Sequence, residues 1–161
     1  PKVKLSISHT TRLPRGEEKD GVHYFFVSEP EFKKMIENKE FLEHAQVFQK
    51  HWYGTTKSFV DSTLKSGQSV LFDIDVQGAK ALKKIYGQRC VTVFVHPPSM
   101  EELERRLRNR KTENTQAIEV RLTNAKAEIS EAPAYDHQLV NQDLDKTFEN
   151  LLSLLKKEHC I

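Results

Sequence analysis

The sequence feature that most constrains the fold is the stretch from residue 70 to residue 78, which reads VLFDIDVQG. Its first part is apolar enough to form a buried parallel strand, and the stretch ends in two acids and a glycine. Because side chains alternate along a strand, Asp73 and Asp75 are expected on one face of it. Open α/β sheets bind ligands at the carboxyl ends of their strands. The stretch therefore predicts paired carboxylates able to hold magnesium against phosphates, with a water-facing turn as the alternative.

Strand and helix patterns alternate along the rest of the chain. Strands are predicted at residues 3–7, 22–27, 41–47, 90–95 and 137–141, and residues 52–56 are interpreted as a turn. Helices are predicted after capping sequences at 28–31 and 99–102, and over 57–66, 79–85, 115–131 and 143–159. In the last helix, the residues expected to pack inward are Leu144, Phe148, Leu151, Leu152 and Leu155. The alternation predicts an α/β fold with a mainly parallel sheet flanked by helices.

Composition argues against several classes of protein. A chain of 161 residues suits one domain, and its 25 basic and 23 acidic residues nearly cancel, so no global field for nucleic acid is expected. Cys90 and Cys160 form no CxxC pattern, which favours reduced thiols in a cytoplasmic protein. The seven histidines show no HExxH spacing, so a structural transition-metal site is not expected. No run is long and apolar enough for a membrane span, and the first residues do not resemble a signal peptide.

One polar cluster has the chemistry of a phosphate site. Ser8, Arg12, Arg15 and Tyr24 offer two forked guanidinium groups and two hydroxyls, which match the oxygens of a phosphate. Hydrogen bonds to charged groups contribute about 1.5–3 kcal/mol each, so the cluster could anchor a small phosphoester. The alternative is a solvated loop that binds nothing.

Two further clusters complete the candidate site. Glu43, Tyr53 and Thr55 supply an acceptor and two hydroxyls, enough to recognise the edge of a nucleobase, although each alone is commonly a surface residue. Arginines form the other cluster, and its members are Arg106, Arg110 and Arg121. The first two are four residues apart on one helix face, where like charges repel slightly unless an anion binds between them. A basic helix face in water is the alternative.

Taken together, these motifs resemble the guanylate kinase family along nearly the whole chain. The resemblance rests on SHTTR at 8–12, PR at 14–15, GVHY at 21–24, FLEHA at 41–45, YGT at 53–55, DIDVQG at 73–78, PPS at 97–99, VN at 140–141 and the three arginines. It implies a P-loop kinase fold over residues 1–161, with a GMP-binding subdomain at 8–66 and a helical lid at 104–130. It also implies transfer of the γ-phosphoryl group of ATP to GMP with Mg²⁺, with GMP and ATP as the partners and no membrane or nucleic acid.

The resemblance also implies a role for each matching position. The residues expected to hold the GMP phosphate are Ser8, Arg12, Arg15, Tyr24 and Tyr53. Those expected to recognise guanine are Glu43, Thr55 and Asp73. The expected catalytic residues are Asp75, in indirect contact with Mg²⁺, and Arg106, Arg110 and Arg121, which would bear on the transferring phosphoryl group. Asn141 is expected beside the adenine of ATP. This assignment fits phosphoryl transfer, which depends on positioning and charge neutralisation.

The sequence departs from the family pattern at three places. Gly16 and Glu17 stand where the family usually has a proline or small residue followed by glycine, and Lys111 replaces a lid glycine. More seriously, the 161 residues contain no GxxxxGK(S/T) loop, the element that cradles the ATP phosphates. The chain is therefore expected to begin after the first strand and this loop, and to be inactive without them.

Two other functions compete with the kinase. Guanylate-kinase-like modules of membrane-associated scaffolds bind phosphopeptides without catalysis, and they commonly lose the aspartates and lid arginines. Asp75 and all three arginines are present here, which favours an enzyme. RNA binding through residues 105–110 is disfavoured because no aromatic residues are interleaved with the basic ones. The sequence predicts no oligomeric state.

Overall fold

The computed structural model describes residues 2–47, 50–109 and 115–161. Two compact units are present, one built from the residues up to Gly87 together with Cys160–Ile161, and the other from Gln88–His159. Within the described ranges, no helix is both long and apolar enough to cross a bilayer.

The first unit combines short strands with three helices. In chain order its elements are β1 (Val3–Leu5), β2 (His9–Thr10), β3 (Phe25–Phe26), α1 (Glu29–Glu37), β4 (Phe41–Val47), β5 (His51–Thr56), α2 (Lys57–Lys65), β6 (Ser69–Leu71) and α3 (Val76–Tyr86). Strands β1 and β6 form a parallel pair. The other sheet has the order β3-β2-β5-β4 and is mixed, because β2 and β3 are parallel while β5 is antiparallel to both β2 and β4.

The second unit contains one parallel strand pair and three helices. Its elements are β7 (Val93–His96), α4 (Met100–Asn109), α5 (Thr115–Ser130), β8 (His137–Val140) and α6 (Leu144–Lys157), with short 3-10 helices at Gly87–Arg89 and Ala132–Ala134. Strands β7 and β8 pair in parallel from Val93 opposite His137 to His96 opposite Val140. The parallel pairing predicted from the alternation of strands and helices is therefore found in both units.

Helix boundaries follow the capping residues in the sequence. Ser28 and Glu31 form the predicted capping box of α1, since the Ser28 backbone N–H donates to Glu31 Oε2 at 2.9 Å and the Glu31 backbone N–H to Ser28 Oγ at 3.3 Å. Helix α2 ends at Lys65, and Gly67 follows with a φ of +74°, a left-handed conformation that glycine adopts without strain. The boundaries of these helices were predictable because caps satisfy backbone groups locally.

Several predicted elements of the first unit differ in the structure. The strand predicted at residues 3–7 ends at Leu5, and the strand predicted at 22–27 is reduced to Phe25–Phe26. Strand β6 ends at Leu71, so Asp73 and Asp75 lie in the segment after the strand rather than within it. The prediction of a turn at residues 52–56 is wrong, because these residues belong to β5. A glycine between a tyrosine and threonines suggested a turn, but β5 is the central partner of β2 and β4, and its ladder bonds hold Gly54 extended.

The prediction that α6 packs inward along its whole length is wrong at its start. Leu144 is 74% exposed and Phe148 57% exposed, whereas Leu151, Leu152 and Leu155 are partly buried. Strand β8, the neighbouring strand, has 4 residues and the helix has 14, which correspond to lengths of about 13 Å and about 21 Å. Periodicity identifies an apolar face, but it does not say how far along the helix a neighbour covers that face.

Aromatic rings pack closely around Gly54 in the first unit. The rings of Phe32 in α1 and Phe41 in β4 are buried and stack with centroids 4.4 Å apart, and Trp52 lies 5.9 Å from Phe32. A Cβ built on Gly54 would lie 2.9 Å from Phe41 Cδ1, 3.0 Å from Phe32 Cζ and 3.1 Å from His44 Cβ. Gly54 is therefore required by space, because the two rings occupy the position of a side chain.

We expect Gly54→Ala to lower the free energy of unfolding by about 1–3 kcal/mol, because the added methyl group forces buried rings out of their rotamers. Urea unfolding followed by circular dichroism measures the change. Gln46→Ala on the exposed side of β4 is the matched control, and its effect should stay within about 0.5 kcal/mol. A Gly54→Ala variant as stable as the native protein would show that the rings can move aside.

Candidate functional site

Arg12 is the best-connected side chain of the predicted phosphate cluster. Its side chain is only 7% exposed, and it forms a two-pronged ion pair with Glu18, with Nη1 2.9 Å from Oε2 and Nη2 3.0 Å from Oε1. Nη1 also donates to the backbone oxygen of Leu13 at 2.7 Å, and Nε donates to the hydroxyl of Tyr53 at 3.3 Å. Four of the five N–H donors of the guanidinium are thereby engaged, which fixes its orientation.

Aromatic rings support the Arg12 guanidinium from another side. Its central carbon lies 5.3 Å from the centroid of Tyr24 and 5.9 Å from that of Phe26, within the range of cation–π contacts. The rings of Tyr24 and Tyr53 meet edge to face at 5.9 Å. Burial raises the pKa of the Tyr24 phenol, and the negative charge of Asp73 adds to the rise. Tyr24, Tyr53 and Asp73 therefore belong to one electrostatic neighbourhood around Arg12.

Glu18 was not among the residues predicted from the sequence, yet it organises the loop that carries both arginines. Its Oε2 accepts a hydrogen bond from the Arg15 backbone N–H at 2.7 Å, and its own N–H donates to the Arg15 oxygen at 3.0 Å. The hydrogen bonds from Arg12 hold the pKa of the Glu18 carboxyl below its usual range. The only signal in the sequence was an acid three residues after Arg15. Glu18 thus links the Arg12 side chain to the Arg15 backbone, while Tyr24 and Tyr53 contact Arg12 directly.

Ser8, the remaining residue predicted for the phosphate cluster, lies directly before β2. Its backbone oxygen accepts a hydrogen bond from Phe25 at 2.9 Å, and this bond begins the β2–β3 pairing. Two residues further on, the buried Thr10 accepts a hydrogen bond from the Arg12 backbone N–H through Oγ1 at 3.2 Å. These hydrogen bonds fix the backbone on both sides of β2, from Ser8 before the strand to Arg12 after it.

Glu43 and Thr55 face each other across the β4–β5 pair. They are register partners, and the ladder shifts between Phe41 and Glu43. The Thr55 side chain is almost fully buried, and its Oγ1 makes no hydrogen bond of standard geometry to the described residues. Burial raises the pKa of the Glu43 carboxyl, Thr55 opposes the rise, and the charge of Asp75 adds to it. The buried Thr55 hydroxyl and the Glu43 carboxylate thus face each other across the strand pair, an arrangement suited to a polar ligand.

Asp75 has a structural contact as well as a predicted catalytic role. Its Oδ1 accepts a hydrogen bond from the Gly78 backbone N–H at 2.8 Å, which makes Asp75 the N-cap of α3. Its Oδ2 makes no hydrogen bond to the described residues, and a single carboxylate oxygen suits a hydrated Mg²⁺. Over residues 2–47, 50–109 and 115–161, no group of three His, Cys, Asp or Glu side chains could hold a metal by itself.

The second unit brings together two of its predicted residues. Arg106 of α4 donates through Nε to Glu102 at 2.8 Å and through Nη1 to the backbone oxygen of Asn141 at 3.1 Å. Hydrogen bonds from Arg105, and then from Arg106, lower the pKa of Glu102 to about 2. Asn141 follows β8, where its N–H donates to the His96 oxygen at 2.8 Å. Arg106 is therefore fixed against the end of β8.

The other two predicted arginines are Arg121 and Arg110. Arg121 lies in α5 and is partly buried. Arg110 was predicted to act beside Arg106, but it lies outside the described residues, as does Lys111. Their roles stay predictions.

Comparison with known proteins identifies one family across the chain. The family model described as guanylate kinase matches residues 1–158. A protein of Rickettsia bellii named guanylate kinase is 44% identical over 156 residues, covering 97% of this chain and 81% of the relative. One of the same name from Bacteroides thetaiotaomicron is 46% identical over 155 residues, covering 96% of this chain and 76% of the relative.

A solved structure gives the same result for the fold. The crystal structure of guanylate kinase from Anaplasma phagocytophilum superposes with a TM-score of 0.85 at 36% sequence identity. The match covers 98% of this chain and 76% of that one. The predicted α/β fold of P-loop kinase type is confirmed by this likeness.

Proposed function

Because the chain belongs to the guanylate kinase family, we propose that it carries the acceptor site for transfer of the γ-phosphoryl group of ATP to GMP, which yields ADP and GDP. The observation that supports this most directly is the Arg12 cluster, in which Glu18 orients the guanidinium, the Tyr53 hydroxyl accepts from it, and it lies over the ring of Tyr24. We also propose that the protein is cytoplasmic and acts in purine nucleotide metabolism.

The phosphate of GMP binds at this cluster. One Arg12 N–H is not engaged by Glu18, Leu13 or Tyr53, and it adds to the Arg15 side chain and the hydroxyls of Ser8, Tyr24 and Tyr53 as donors for phosphate oxygens. Because Glu18 already fixes the guanidinium, little side-chain entropy is lost when the phosphate arrives. The aromatic rings exclude water from one side and strengthen the charged hydrogen bonds.

The guanine base is recognised by Glu43, Thr55 and Asp73. A carboxylate can accept two hydrogen bonds at once, from N1–H and from the exocyclic amine of guanine, whereas adenine does not offer this pair of donors. The buried Thr55 hydroxyl, which lacks a hydrogen bond of standard geometry, would gain a partner from the base. The charge of Asp73 contributes to the raised pKa of Tyr24, which supports placing Asp73 between the proposed base and phosphate sites.

Asp75 would hold Mg²⁺ through water with its Oδ2, while its Oδ1 continues to cap α3. Bound Mg²⁺ neutralises charge on the phosphates during transfer. In the second unit, Arg106, Arg110 and Arg121 are proposed to bear on the transferring phosphoryl group, and Asn141 to lie beside adenine.

The proposal is tested by two measurements on the protein as its gene encodes it. Calorimetric titration should show that GMP binds more tightly than guanosine and more tightly than AMP. Incubation with ATP, GMP and Mg²⁺ should form GDP, and EDTA should abolish the reaction. Binding of a phosphoserine peptide in place of GMP, with no GDP formed, would favour the scaffold module instead.

We expect Glu43→Gln to lower the preference for GMP over AMP by about tenfold, because the amide cannot accept from both guanine donors through charged oxygens. Dissociation constants for the two nucleotides, measured by titration, give the ratio. Glu37→Gln on the exposed side of α1 removes the same charge without touching the site and should leave the ratio unchanged. An unchanged ratio in Glu43→Gln would mean that another residue recognises the base.

A further inference from the structure

Gly78 occupies a position where glycine is not required by the backbone. It is buried in the first turn of α3, and its φ is not in the left-handed region. Glycine inside a helix costs about 1 kcal/mol relative to alanine, so its presence calls for another physical reason.

The reason is the space that Gly78 leaves for Glu43. A Cβ built on Gly78 would lie 3.2 Å from Glu43 Oε2 and 3.3 Å from both Cβ and Cδ1 of Ile74. Distances of this size are tighter than ordinary van der Waals contact, so a neighbour must move by a few tenths of an ångström. Ile74 is branched at Cβ and stiff, which leaves the Glu43 carboxylate as the group that moves.

Movement of Glu43 matters because its surroundings hold it in place. Its strand is pinned to β5 opposite Thr55, and the carboxylate is largely withdrawn from water between β4 and the start of α3. The Gly78 N–H is already taken by Asp75 at 2.8 Å, so it is not available to Glu43 as a donor. What Gly78 contributes to Glu43 is therefore room rather than a hydrogen bond.

We propose that Gly78 is a specificity-determining position, because its missing side chain lets the Glu43 carboxylate lie where it can accept both hydrogen bonds from guanine. This inference rests on the proposed function, in which Glu43 recognises the base. Gly78 acts through Glu43 and is a positioning residue.

The test is the variant Gly78→Ala, with GMP and AMP dissociation constants measured by titration. We expect GMP affinity to fall by about tenfold, since small displacements of a positioned group have large effects, and AMP affinity to change little. The thermal midpoint should hold or rise, because alanine favours the helix. Gln77→Ala, an exposed change in the same helical turn, should leave both dissociation constants unchanged.

A double-mutant cycle with Glu43→Ala separates this role from a general structural one. In the Glu43→Ala background, Gly78→Ala should no longer alter the GMP to AMP ratio, because the displaced carboxylate is absent. An equal loss in both backgrounds, or no loss in the native background, would overturn the proposal. If Gly78→Ala alone unfolds, the proposal requires that adding Glu43→Ala restores folding, and failure to do so would refute it.

The outcomes distinguish this inference from the proposed function. If the native protein prefers GMP over AMP and Gly78→Ala keeps that preference, the role of Gly78 is refuted and the proposed function stands. A native protein with no preference for GMP refutes the function on which that role depends.

Discussion

Arg12→Ala is expected to raise the dissociation constant for GMP by about 100-fold and to leave guanosine binding nearly unchanged. The variant removes a charged donor to the phosphate and also the group that orients the Tyr53 hydroxyl. Hydrogen bonds to charged groups contribute about 1.5–3 kcal/mol each, and about 1.4 kcal/mol corresponds to a factor of ten. Titration of GMP and guanosine side by side measures the difference, because only GMP carries the phosphate.

Controls for Arg12→Ala must account for Glu18, which loses its partner in this variant. The double variant Arg12→Ala with Glu18→Ala removes both charges, and we expect it to recover stability but not GMP affinity. Arg12→Lys keeps the positive charge but lacks the forked guanidinium that pairs with Glu18, so its loss of GMP affinity should be smaller than that of Arg12→Ala. Equal weakening of GMP and guanosine, or full GMP affinity in the double variant, would contradict a phosphate-binding role.

Asp75→Asn is expected to lower the rate of GDP formation by about 100-fold or more while leaving the protein as stable as the native form. The asparagine oxygen can still accept from the Gly78 N–H and cap α3, but it removes the charge proposed to hold hydrated Mg²⁺. Asp75→Ala should lose turnover to the same extent and in addition about 1 kcal/mol of stability. Turnover at saturating substrates and thermal unfolding measure the two effects separately.

Asp143 offers a matched control for this pair of variants. Its Oδ1 caps α6 by accepting from the Lys146 backbone N–H at 2.9 Å, the same type of contact that Asp75 makes to α3. Asp143→Ala should therefore reduce stability and retain turnover. Normal GDP formation by Asp75→Asn would remove Asp75 from the catalytic residues and leave it as a cap.

How far the sequence alone could lead depended on whether the signal was local. The helix ends at Ser28, Gly67 and Gly87 were predictable, because a cap satisfies backbone groups within a few residues. Strand β5 was not, since its central glycine is typical of a turn and only pairing with β2 and β4 keeps it extended. The exposed start of α6 was missed for the same reason, because coverage depends on a neighbour and not on the helix itself.

The candidate site shows the same difference between what the sequence predicts and what the fold decides. The residue types of a phosphate and base site were readable in the sequence, since forked guanidinium groups, hydroxyls and a carboxylate have their chemistry wherever they fold. The N-cap role of Asp75 is a local contact with Gly78, whereas two other features depend on the folded structure: the ion pair between Glu18 and Arg12, and the space that Gly78 leaves for Glu43. Sequence determined which groups were available, and packing decided which of their donors, acceptors and spaces were already taken, because that depends on atoms brought within a few ångströms by the fold.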